Sequence, residues 1–161
     1  LTAWQRDNDL LSTSLPKGIV VKAFANRMDL FSVMIVGPSG TPYEDGLFFF
    51  DLRLTPEYPN QPPEVHYHSL TPERINPNLY VEGRVCLSLL GTWKGHSTEN
   101  WSSDFSNLLQ VLVSLQGNLT APVVCLPVSH RLQSKRGRCS AQTTHSSPEA
   151  TFVWCFAQKK R

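Results

Sequence analysis

No run of about 18 uninterrupted apolar residues occurs, so no segment is suited to crossing a bilayer as a helix. Cysteine is scarce. The four residues, Cys86, Cys125, Cys139 and Cys155, are too few and too scattered for a disulfide framework in a chain of 161 residues. A reducing compartment, cytoplasmic or nuclear, is the expectation. The opening "LTAWQRDNDLLSTS" lacks the basic start and apolar stretch of a signal peptide. Because it starts at Leu1 rather than Met, the chain is expected to be a fragment or a processed product. No internal repeat is visible. Compact metal-ligand spacing is missing too: Cys125, His130, Cys139, His145 and Cys155 follow one another at gaps of five, nine, six and ten. A zinc site is therefore not expected, and neither is any other metal or cofactor.

What the chain does have is 40% apolar and 10% aromatic residues, a globular composition for one domain of ordinary size. Its net charge of +2 conceals an asymmetry. Residues 1–117 carry eight Lys/Arg against twelve Asp/Glu, whereas 118–161 carry seven Lys/Arg and a single Glu. The two stretches are read as separate pieces. The first is a core. The second is a basic, Ser/Thr/Gln-rich tail without period 2 or 3.6, expected to be irregular, with one apolar island, "TFVWCF". Its "SHRLQSKRGR" has no interleaved aromatics, so it reads as a solvated tail rather than a nucleic-acid site.

Within the first piece, 3–12 suits a short helix, with Trp4, Leu10 and Leu11 among charges, and "LPKG" ends it. Four runs rich in β-branched and aromatic residues follow: 18–24, 30–36, 46–54 and 63–68. The turn sequences "NRMD" and "GPSGTPYEDG" separate the first three, which predicts an antiparallel meander. "TPEYPNQPP" has four prolines in nine residues and cannot join a central ladder. "NPNLYVEGRVCLSLL" alternates like a strand around Cys86. A polar loop with two exposed-looking tryptophans, Trp93 and Trp101, leads to the best helical pattern, 106–117. There Leu108, Leu109, Leu112 and Leu115 recur at helical spacing, and Gly117 is placed to close the helix.

From the residues alone, Cys86 is open to four readings: buried thiol, metal ligand, disulfide partner or nucleophile. Asn78 alone is a turn residue. His66 and His68 alternate on a strand and read as packed or solvated rather than as ligands or bases.

The order of the pieces is more specific than any of them. A helix, a four-strand meander, a Y-P-x-x-P-P loop, an N-P-N turn, a G-x-V-C strand, a Trp-Ser loop and an apolar helix follow in sequence, with Asn78 eight residues before Cys86. This resembles the α+β catalytic core of the ubiquitin-conjugating enzyme family over residues 1–117. "NPNLYVEGRVCLSLLGTW" and the long insert before Trp101 resemble a narrower group of large hybrid conjugating and ligating enzymes, the ubiquitin-conjugating enzyme E2 O-like proteins. The resemblance implies that Cys86 takes the ubiquitin C-terminus as a thioester from the activating enzyme and passes it to a substrate lysine. A thiol suits both steps, since thiolate is a good nucleophile and a good leaving group. A strong base beside it would promote hydrolysis, and no His or Asp lies within three residues of Cys86. The resemblance further implies that Asn78 donates its side-chain amide to the tetrahedral oxyanion, or braces the loop that does. Pro77 would aim the turn, Asn76 would tie it together where most members have His, and Tyr80 would pack over it. Ser88 stands where many members carry Asp.

Two departures follow. Pro59, Asn60, Pro62 and Pro63 in one loop, with Trp101, Ser103 and Asp104 in another, match the surfaces that dock separate ligases. Asn60 and Ser103–Asp104 replace the family's Phe and Pro-Ala, and apolar anchors carry most of an interface's energy. The resemblance therefore implies ubiquitin, the activating enzyme and substrate proteins as partners, with little reliance on separate RING or HECT ligases and no membrane partner. The second departure is 118–161, where the family's flanking loop and later helices are not matched. The core is expected to be truncated at its C-terminal end, leaving part of the 106–117 helix uncovered. A non-catalytic, ubiquitin-binding variant is the alternative reading. A cysteine hydrolase is disfavoured for want of a His–Cys pairing.

Overall fold

The computed structural model of the chain describes residues 2–93 and 100–120. Helix α1 (Ala3–Thr13) carries Asp and Asn, which are weak helix formers. Its first turn compensates with a capping box: the Thr2 hydroxyl accepts from Gln5 N at 3.3 Å and Thr2 N donates to Gln5 Oε1 at 2.9 Å. The indole of Trp4 donates to Met28 O at 2.8 Å, fixing the helix against the start of the second strand.

The meander forms as β1 (Ile19–Phe24), β2 (Arg27–Val36), β3 (Leu47–Arg53) and β4 (Glu64–His68), an antiparallel sheet in chain order. The "NRMD" turn is shorter than expected, because only Ala25 and Asn26 turn. Arg27 and Asp29 already lie two apart on β2, where strand pleating puts them on one side. The guanidinium grips the carboxylate through Nε at 3.0 Å and Nη2 at 2.9 Å. In the β2–β3 loop, a side chain at Gly37 would drive a Cβ to 1.8 Å from Tyr43 O, so only glycine lets the loop close there.

One sheet face is apolar. Ile19, Phe31, Val33, Ile35, Phe48, Phe50, Leu52 and Tyr67 are buried on it. The other face carries a polar row, Lys22, Ser32, Asp51 and His66, in direct register across all four strands. Asp51 there accepts from the Ser32 hydroxyl at 2.8 Å and pairs with His68 Nε2 at 2.7 Å, so both strand histidines stand on the solvated side.

Helix α2 (Leu108–Asn118) completes the core against the apolar face. It starts two residues later than its pattern suggested. The side chain of Asn107 takes the cap, accepting from Gln110 N at 2.9 Å, while the Ser106 hydroxyl accepts from Ser102 N instead. Gly117 does not close it. The helix runs on through Asn118, and the N–H of Leu119 bonds back to Gln116 O and Gly117 O. Leu119 is wholly buried, so the core extends past the boundary expected at 117. Along its apolar stripe Leu108, Val111, Leu112 and Leu115 are all at or below 1% exposure, while Val113 of the same helix is 45% exposed.

The strand expected around "GRVC" is not one. Residues 76–85 fold back on themselves through two isolated bridges, Asn76 with Leu79 and Leu79 with Val85, and a 3₁₀ turn (Ser88–Leu90) follows. Of the two tryptophans, Trp93 is exposed and Trp101 is not. Trp101 packs on the core's edge and its indole donates to Pro59 O at 2.7 Å. The readings of the zinc-like cysteines and histidines, the basic run and "TFVWCF" all fall in 121–161, outside the described residues.

Candidate functional site

The 74–92 segment lies along the free edge of β4. The N–H of Tyr67 donates to Gly83 O at 2.7 Å, which moors the loop to the sheet. The approach is so close that a Cβ on Gly83 would fall 1.9 Å from the His66 ring, and φ there is +96°. Glycine satisfies both demands. Three residues on, Cys86 N donates to Asn78 O at 2.8 Å, so the thiol-bearing residue and the asparagine of the N-P-N turn are joined directly through main chain. Cys86 is a free thiol and only 5% exposed.

Irregular backbone this close to a core needs side-chain partners for its polar groups. Asn76, 2% exposed, supplies several: Oδ1 accepts from Asn78 N at 2.8 Å, and Nδ2 donates to the Tyr43 hydroxyl at 3.0 Å and to Asn118 O at 3.1 Å. The Tyr43 hydroxyl donates in turn to Ile75 O at 3.0 Å. Burial pushes that phenol's pKa up, so it stays a donor. Arg74 Nε donates to Asn76 O at 3.3 Å, and its Nη2 also donates to Pro77 O. The Arg74 guanidinium lies 3.7 Å from the centre of the Tyr80 ring, with Arg84 5.5 Å away, so Tyr80 packs over the turn between two cations. Beyond Cys86, the Thr92 hydroxyl donates to Val85 O at 2.7 Å and accepts from Leu87 N at 2.8 Å, pinning both flanks of the cysteine. Ser88 opens the 3₁₀ turn beside it.

Asn76, Pro77, Asn78, Tyr80, Cys86 and Ser88 are thus brought together by the loop that sequence singled out. Tyr43, Arg74, Thr92 and Asn118 were not singled out. For Tyr43 and Asn118 nothing in the local sequence marks a residue whose partner lies tens of positions away, while Arg74 and Thr92 bond within seven positions of themselves.

The two docking loops form a second cluster. The rings of Tyr58 and Trp101 lie 5.7 Å apart, with Pro59 accepting the indole bond, and the Tyr58–Pro59 peptide is cis. The Tyr58 hydroxyl donates to Asp7 Oδ2 of α1, while Arg6 Nη2 donates to Ser106 O at 3.2 Å. Asp7 is fully buried, and burial raises its pKa above the ordinary carboxylate range. The Tyr58 phenol is pushed upward by burial and by that carboxylate. Asn60 and Asp104 are exposed and Ser103 is half-buried. Next to them stands Phe105, 81% exposed, which the sequence reading passed over. Pro62 and Pro63 turn instead toward Arg84, Val85 and Thr92, with which they line a cavity of about 310 Å³. Among the described residues no group of three metal-ligating side chains converges.

The family model described as ubiquitin-conjugating enzyme matches residues 3–144, well past the last described residue. The probable ubiquitin-conjugating enzyme E2 23 of Arabidopsis thaliana is 56% identical over 112 residues, 70% of this chain but 10% of that protein. The human dual E2 ubiquitin-conjugating enzyme/E3 ubiquitin-protein ligase BIRC6 is 38% identical along 94% of this chain, which spans 3% of its length. Among solved structures, human ubiquitin-conjugating enzyme E2 G1 superimposes with a TM-score of 0.62 at 26% identity, covering 74% of this chain and 93% of that one. A helix, a four-stranded antiparallel meander and a later helix make up the fold this chain shares with that solved structure. The chain belongs to the ubiquitin-conjugating enzyme family.

Proposed function

We propose that this chain carries ubiquitin as a thioester on Cys86 and passes it to a lysine. The observation that carries the reading is the 2.8 Å bond from Cys86 N to Asn78 O, which sets the thiol beside the turn whose asparagine has an amide to donate. In the first step the Cys86 thiolate attacks the thioester carbonyl of ubiquitin on its activating enzyme, whose own thiolate leaves. In the second, a lysine amine attacks the new thioester. A tetrahedral oxyanion forms, Cys86 leaves as thiolate, and the nitrogen gives up a proton as the amide forms. Asn78 is the candidate oxyanion donor, and the carboxylate-free neighbourhood in sequence protects the thioester from hydrolysis.

The partners under this reading are ubiquitin, the activating enzyme and substrate proteins, in a cytoplasmic or nuclear setting and within one hybrid conjugating and ligating polypeptide. Asn60, Ser103 and Asp104 make the chain a poor client of separate RING or HECT ligases. Robust stimulation by several unrelated RING domains would count against that.

The test is incubation with ubiquitin, activating enzyme and ATP, followed by electrophoresis with and without thiol. A thiol-labile adduct that disappears in Cys86→Ala is expected. No adduct from the parent chain, or one that survives the substitution, sinks the reading. The 5% exposure of Cys86 favours one competitor, a non-catalytic module that binds ubiquitin without chemistry. Binding of ubiquitin without any adduct would select it.

A further inference from the structure

The end of α2 reaches into the active-site turn through one residue. Asn118 accepts twice: its Oδ1 takes Asn78 Nδ2 at 3.2 Å, and its main-chain oxygen takes Asn76 Nδ2 at 3.1 Å. Both outer residues of the N-P-N turn thus have their side-chain amides held by the same residue, forty positions downstream. The other half of the Asn118 amide is left over, because Nδ2 is buried without a partner. A buried, unpartnered N–H donor is a cost to the fold. An apolar side chain of similar size would avoid it.

We infer that Asn118 is a positioning residue: it holds the Asn78 amide in the orientation from which that amide serves the reaction at Cys86. The inference rests on the thioester reading above. An asparagine side chain ends in a broad, two-fold torsion, so an unheld amide samples both faces. A single acceptor at 3.2 Å selects one of them. The sequence around Asn118 hides this, since position 118 looks like the point where an apolar pattern stops.

Stability and chemistry should respond to this residue in opposite directions. Asn118→Leu removes the unpartnered N–H, so the thermal midpoint should not fall. It also releases Asn78, so discharge of chain already loaded with ubiquitin, followed on free lysine, should slow roughly three- to ten-fold, the range expected for one ordinary hydrogen bond. Asn118→Asp keeps an oxygen acceptor and should recover most of the rate. In the Asn78→Ala background, Asn118→Leu should have no further effect on discharge. Discharge at the parent rate in Asn118→Leu overturns the inference, as does a slowed rate that tracks a lowered midpoint and that Asn118→Asp fails to rescue. A second readout needs no activity. The side-chain amide protons of Asn78, assigned by ¹⁵N NMR, should be slow to exchange in the parent chain and fast in Asn118→Leu. Equal exchange in the two overturns it. A parent chain that never loads ubiquitin would sink the thioester reading instead, and the amide protons would still decide whether Asn118 holds Asn78.

Discussion

Between Ile19 and His68 the backbone satisfies itself: strand pairs with strand, and side chains on one face supply apolar area. Between Arg74 and Thr92 the main chain bonds to itself only in scattered turns, such as Cys86 N to Asn78 O. That segment contains two isolated bridges and one 3₁₀ turn, and side chains supply further partners: Tyr43 from the β2–β3 loop and Asn118 from α2, with Arg74 and Thr92 from its own ends. The lesson concerns sensitivity. In the sheet a substitution is felt by volume. In the loop it is felt by the loss of one donor or acceptor, and little surface area need change.

The sharpest way to separate the regions is Phe50→Ala. Phe50 is 1% exposed on the sheet's inner face, and the cavity should remove about 3–5 kcal/mol of stability. Chemical denaturation would measure it, and hydrogen exchange should rise throughout the sheet. A loss confined to the 74–92 loop would break the comparison.

Asn78→Ala should do the opposite. Stability should barely move, while lysine discharge slows by about 10²–10³-fold, the usual consequence of losing one oxyanion donor. Charging should suffer much less. Single-turnover kinetics on both steps would show it, and equal loss in the two would mean that Asn78 only shapes the loop.

Thr92→Val is intermediate. It keeps the volume but deletes the hydroxyl that bonds Val85 O and Leu87 N, and should cost about 1–3 kcal/mol. The expected signature is faster exchange at the Leu87 amide with the β2 and β3 amides unchanged. Spread of that effect into the sheet would show that the two regions are not separately held.

The smallest effect belongs to Asp7. Its folded-state pKa is raised by burial, so the folded chain holds that proton more tightly than the unfolded chain does. Stability from this group is therefore greatest below the ordinary carboxylate value. It declines as pH rises through the window up to the folded value, and the full penalty stays above it. Asp7→Asn should flatten that slope while leaving an acceptor for the Tyr58 hydroxyl. Thermal midpoints of the two proteins across mildly acidic pH would compare them, and parallel curves would refute the assignment.

Much of this was legible beforehand where the chain's own periodicity decides the outcome. The four strands and both helices announce themselves because burial of one face imposes period 2 or 3.6 on the residues that provide it. The N-P-N turn and Cys86 were legible for a different reason, the ordered set of motifs around them. Their surroundings were not. A strand was expected at "GRVC" because Val85 and Leu87 alternate with polar neighbours, but alternation cannot say whether a partner strand exists. The loop pairs with itself and with the edge of β4 instead. Gly117 looked like a helix stop because glycine often is one. Here the buried Leu119 carries the helix one residue further.

By itself, then, the sequence determined the meander, the apolar stripe of α2, the proline-stiffened loop and the identity of the residues at the N-P-N turn, since each depends on neighbours within a few positions. Only the tertiary structure decided that Tyr43 and Asn118 hold that turn, that Trp101 is tied to Pro59, and that Asp7 lies buried beneath Tyr58. These are polar contacts spanning 32 to 51 positions. A hydrogen bond is satisfied by whichever donor the folded chain brings within about 3 Å, and that proximity exists only after the apolar core has assembled.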